Sequence, residues 1–232
     1  SGKKIGQHRC IHSPAYGEPQ IGKQFTFLSR LTMQNYPLYT VETLLVVVMP
    51  LLVLYLKGNW PLRKVIPCLV VIPILWYFTY APLHELSHAA GIYLVGGKVI
   101  GYKLIPRFWL GEFARAWVIP SGITQSWQQL TMTAFPYLLD VVCFIVAIFS
   151  FWRGFPRNPF LIGLAFMFLC LRPACDFVFE PIAFLSGDRG DFYALQQIVG
   201  PFAIWSFILI SIGLAVYSIS STLSHLVSSS KH

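Results

Sequence analysis

Acidic residues are scarce in this chain, with only nine Asp and Glu among 232 residues. All charged residues together make up 11% of the sequence, against about 25% in soluble domains. With 56% hydrophobic residues, that scarcity argues against a soluble globular protein. Five cysteines, Cys10, Cys68, Cys143, Cys170 and Cys175, are odd in number and scattered, so they define no disulfide framework. Four of them lie in apolar segments, where cysteine behaves as a small hydrophobe. No basic run is dense enough for nucleic acid, and the net charge of +8 is read instead as loops facing anionic headgroups. Residues 1–40 are polar and mixed and carry no signal-peptide pattern; their His8, Cys10 and His12 read as part of a solvated tail. No internal repeat is visible, and the one biased segment is the Ser-rich C-terminus.

What the chain has in quantity is long apolar runs. A membrane span needs about 20 mostly apolar residues. Five segments approach that length: residues 41–56, 65–95, 130–152, 159–185 and 201–223. The expectation is an all-α polytopic membrane bundle of about five transmembrane helices. It has a polar N-terminal segment (1–40), one transmembrane domain (41–223) and a polar C-terminal tail (224–232). With five spans, ten Lys and Arg fall on the N-terminal side and six on the other, which places the N-terminus in the cytoplasm. Behind the turn signal Gly96-Gly97, residues 98–106 and 113–120 are rich in β-branched and aromatic side chains. They predict a short β-hairpin over 97–120, held at the membrane interface or against the bundle because unpaired backbone cannot face lipid.

Against this apolar background, ionisable residues stand out. His84-Glu85-Leu86-Ser87-His88 is an H-E-x-x-H motif at the end of an uncharged run, Val65 to Leu83. Chance gives roughly 0.003 such matches in a chain of this composition. Residues four apart share one helix face, so His84 and His88 can aim both imidazoles at one ion. Glu85 projects about 100° away, close to a metal-bound water without being a ligand. Zinc suits imidazole and carboxylate donors and keeps a position open for water in catalytic sites. Glu85 is then the general base. A third ligand is required. Asp176 and Asp140 are the candidates, since both are acids within apolar spans and both follow a proline. Asp176 is preferred and Asp140 is the alternative. Structural roles also exist for both: an i,i+4 pair with Arg172 for Asp176, and an interhelical contact for Asp140. The loop Leu185-Ser186-Gly187-Asp188-Arg189-Gly190-Asp191-Phe192 reads as a solvated connector, with a gating loop as the sharper alternative.

The stretch His84-Glu85-Leu86-Ser87-His88-Ala89-Ala90-Gly91 through Val99 resembles the motif helix, short loop and strand of the site-2 protease family of intramembrane zinc metalloproteases. Ser87 stands where that family usually has Gly. Neither Asp140 nor Asp176 is followed by the Gly of the family's L-D-G motif, whose Asp is the third zinc ligand. With no PDZ-like insertion, the resemblance is to a small, minimal member. It implies a zinc endopeptidase that cuts peptide bonds in or near transmembrane segments of a membrane protein substrate within the lipid bilayer. It also implies that the strands hold the unwound substrate by β-addition. Two other functions fit the same residues: a zinc-binding membrane protein for binding or transport, and a zinc hydrolase of a lipid or small molecule.

Overall fold

The computed structural model describes residues 43–105, 116–153, 158–187 and 190–229. The expected polar segment 1–40 lies outside them. A short helix α1 (Leu44–Lys57) is followed by α2 (Leu62–Leu94), strands β1 (Lys98–Lys103) and β2 (Trp117–Ser121), and α3 (Ser126–Trp152). Then come α4 (Pro159–Leu185), a nine-residue helix α5 (Asp191–Val199) and α6 (Pro201–Ser229). The expected helical bundle with a two-stranded hairpin is present. Among the described residues, four helices, α2, α3, α4 and α6, are long and apolar enough to cross a membrane. The first of the five expected spans is α1, which among the described residues covers about 21 Å at 1.5 Å per residue, against a hydrocarbon core of about 30 Å. Helix α6 runs through Ser229, into the expected polar tail 224–232.

Prolines shape the helices around the site. In α1 and α4 the chain widens into a π-helical turn, over Leu44–Val48 and Met167–Leu171, each closing one residue before a proline. Proline lacks the N–H and clashes with the carbonyl four residues back. Widening the preceding turn relieves that clash, and Arg172 N–H accordingly donates to Met167 O, five residues back. The π-turn therefore sets the azimuth at which Arg172 and Asp176 leave α4.

The end of α2 follows directly from Gly96-Gly97. Gly96 takes φ +81°, a conformation that glycine adopts at no steric cost. Gly97 N–H donates to Ile92 O at 2.9 Å and Gly96 N–H to Tyr93 O at 3.1 Å, closing the helix in a Schellman motif. The chain leaves straight into β1, which pairs antiparallel with β2 from Lys98–Ser121 to Lys103–Trp117, with a bulge between Val99 and Gly101. Opposite Gly101 lies Ile119, and the missing side chain leaves room for Ile119 and Trp117. Strands are thus present over 98–103 and 117–121, where the sequence predicted 98–106 and 113–120; residues 106–115 lie outside the described residues.

Helices α2 and α3 run antiparallel and are stitched at the hairpin end. The Gln128 side chain accepts from the N–H groups of Thr124 and Gln125 and donates to Val95 O at 3.1 Å. One turn further along, Gly91 faces Met132 and Phe135, where a Cβ would stand 3.0 Å from Met132 Cα. Two cores result. One joins α1, α2 and the first half of α4, around Leu51, Tyr55, Ile72, Ile162 and Phe166. The other joins α3, the second half of α4, α5 and α6, around Tyr137, Phe144, Phe177, Phe192 and Leu195. The ionisable cluster lies beside this second core.

Candidate metal centre

His84 and His88 occupy successive turns of α2, as the spacing requires, with their Nε2 atoms 3.2 Å apart. What each imidazole does with its other nitrogen is fixed by neighbouring helices. His88 Nδ1 donates to Met132 O at 2.9 Å. That carbonyl is available because its normal helical donor would be the N–H of residue 136, which is proline. His84 Nδ1 donates to Asp176 Oδ2 at 3.2 Å. Both Nδ1 protons are therefore committed, and both Nε2 lone pairs face inward.

A carboxylate completes the convergence, and it is Asp191. Its Oδ2 lies 2.9 Å from His88 Nε2 and 3.3 Å from His84 Nε2. Tyr137 Oη donates to the same oxygen at 3.1 Å. Donors on a tetrahedral ion with bonds of 2.0–2.1 Å stand about 3.3 Å apart, close to these three separations. Among the described residues, His84, His88 and Asp191 form the one group of three His, Cys, Asp or Glu placed to hold a metal ion. Three lone-pair donors this close need a cation between them, either a second proton on an imidazole or a metal ion. The donor set of two imidazoles and a carboxylate fits zinc.

Asp191 comes from the loop read as a solvated connector. It is the first residue of α5, after Gly190. Phe192 and Leu195, on the apolar side of α5, are buried in the second core and hold the carboxylate in place. The positive end of the α5 dipole favours an anion at that position. Asp191 retains 26% exposure of its side chain. Burial opposes its ionisation, yet contacts with the two imidazoles hold its carboxyl well below the usual carboxylate range.

The two acids expected as third ligand lie elsewhere. Asp176 is 1% exposed and sits on the outer nitrogen of His84, facing away from the convergence. It also accepts from Tyr80 Oη at 2.7 Å and from Arg172 Nη2 at 3.3 Å. The i,i+4 pair with Arg172 is thus real. Asp140 is fully buried and accepts from Arg172 Nη1 at 2.6 Å, which makes it an interhelical partner. Neither carboxylate joins the Nε2 pair: Asp176 is held on His84 Nδ1, and Asp140 is held by Arg172. Glu85 is half-buried, with His84, His88 and Asp191 as its titratable neighbours. Ser87, where the resembling family has Gly, is buried and donates to Leu83 O at 2.6 Å.

Reasoning from sequence missed Asp191, Tyr137 and the Met132 carbonyl. A signal for Asp191 existed: an Asp after Gly at the head of a short amphipathic segment is an ordinary helix start. Pro136 in an otherwise regular span was the signal for the freed carbonyl. No protein-family model, curated protein or solved structure matches this chain.

Proposed function

We propose that the chain is a multi-pass membrane zinc hydrolase, with His84, His88 and Asp191 holding the ion and Glu85 acting as general base. The observation that carries this reading is the convergence of two Nε2 atoms and one carboxylate oxygen, with both Nδ1 protons already committed elsewhere. Asp191 takes the third-ligand role for which the sequence offered Asp176, with Asp140 as the alternative. A bound zinc ion supplies a Lewis acid that lowers the pKa of a water toward 7 and polarises a carbonyl. Glu85 accepts the proton of the attacking water and returns it to the leaving group. The committed Nδ1 hydrogen bonds keep both imidazoles from rotating, so the donors meet the ion without reorganisation.

The substrate class proposed is a peptide bond in or near a transmembrane segment of a membrane protein. Three features support it. The centre is built from helices long and apolar enough to span a bilayer. The motif helix and the strand after it resemble those of intramembrane metalloproteases. The hairpin beside α2 exposes Ile100, Tyr102, Trp117 and Ile119, apolar residues suited to an extended apolar peptide.

Glu85→Gln tests the mechanism. It keeps the donor set and should retain zinc, while cleavage of membrane-embedded peptide substrates by the reconstituted protein falls by at least 100-fold. Cleavage at the wild-type rate by the variant rules the mechanism out.

A further inference from the structure

We infer that Asp140, Arg172 and Asp176 form a buried positioning relay that orients His84 toward the ion of the proposed centre. This rests on the metal-centre reading above and extends it to three residues that touch no ion.

The relay is continuous. Asp140 Oδ1 accepts from Arg172 Nη1 at 2.6 Å, Arg172 Nη2 donates to Asp176 Oδ2 at 3.3 Å, and that same oxygen accepts from His84 Nδ1 at 3.2 Å. Tyr80 Oη holds the other Asp176 oxygen. Three charged side chains at 0–3% exposure inside long apolar helices are costly, and such groups in a membrane setting usually serve function. Stability does not explain the arrangement. Asp140 Oδ2 and Arg172 Nε are buried with no hydrogen-bond partner, and incomplete polar networks are worse for stability than an apolar core. The relay runs in one direction, from the far side of α3 through α4 to the outer nitrogen of a proposed ligand.

Were Asp176 absent, His84 would lose the acceptor that fixes its tautomer and raises its basicity toward the ion.

The test uses the full chain in detergent or nanodiscs, titrated with Co2+, whose ligand-field absorption reports donor geometry. Asp176→Asn keeps the shape of the side chain and removes its charge. It should weaken Co2+ binding by about 10- to 100-fold and shift the absorption bands, beyond any loss of thermal stability from the weakened pair with Arg172. Asp140→Asn, further from the imidazole than Asp176, should weaken binding in the same direction by less. A purely structural relay would lower thermal stability and leave affinity and bands as in wild type, and that result overturns the inference. Should Asp176→Asn fail to fold, Asp140→Asn and Tyr80→Phe decide: wild-type affinity and spectrum in both overturn it. Wild-type Co2+ binding by His84→Ala is a different failure, that of the metal centre itself.

Discussion

His88 Nδ1 donates to the carbonyl of Met132 at 2.9 Å, across the interface between α2 and α3, because Pro136 leaves that carbonyl without its helical donor. Helix stability and metal binding are therefore opposed at this point. Pro136→Ala restores an N–H that competes with His88 for the Met132 oxygen. Because alanine is intrinsically about 3 kcal/mol better than proline inside a helix, thermal stability should hold or rise. Metal affinity should fall several-fold, since His88 loses part of the bond that fixes its tautomer. Calorimetric metal titration beside thermal unfolding reads both.

Gly91 controls how closely the same two helices approach. An alanine Cβ there would sit 3.0 Å from Met132 Cα and Phe135 Cβ. The gain in helix propensity is about 1 kcal/mol, but overpacking against a helix backbone costs about 1–3 kcal/mol. Gly91→Ala should therefore destabilise the protein and weaken metal binding together, because separating the helices lengthens the His88–Met132 bond. Unfolding in detergent, with metal affinity measured on the same samples, checks the pairing.

Tyr137 donates to the Asp191 oxygen that faces both histidines. A hydrogen bond to a charged acceptor is worth about 1.5–3 kcal/mol. Tyr137→Phe should accordingly weaken metal binding by roughly tenfold or more, leaving the buried ring and the core intact. Competition with a chromophoric chelator measures this directly.

Acid should release the metal through the histidines. Imidazole must be deprotonated to bind, so apparent affinity falls as the two histidines take up protons. Asp191 contributes nothing to that fall, because its carboxyl is held well below the usual carboxylate range and stays ionised. The stability it lends through this shift is present above about pH 3.9 and is lost only as pH falls through its lower folded value. A metal-release curve between pH 4 and 8 should therefore follow imidazole protonation, with no added step in the carboxylate range.

The parts of the fold visible in the sequence were those written in local pattern. The apolar runs gave the long helices, Gly96-Gly97 gave the end of α2, and the β-branched residues after it gave the hairpin. His84, Glu85 and His88 were legible because helical geometry alone brings them to one face. Asp191 was not, since its place depends on how α5 docks through Phe192 and Leu195 onto a core assembled from distant helices. Asp176 drew notice as a buried acid, and it does contact His84, on the outer nitrogen. Which side of the imidazole it meets is set by the π-turn before Arg172 and by packing, neither of which local pattern encodes.

The account depends most on Asp191 as the third donor, and metal content per chain tests it most directly. Purified wild-type protein loaded with zinc and dialysed should retain about one ion per chain, and Glu85→Gln should retain the same. Asp191→Ala should retain none, while still eluting as a folded particle. An Asp191→Ala protein that keeps one zinc per chain, or a wild-type protein that keeps none, contradicts the account.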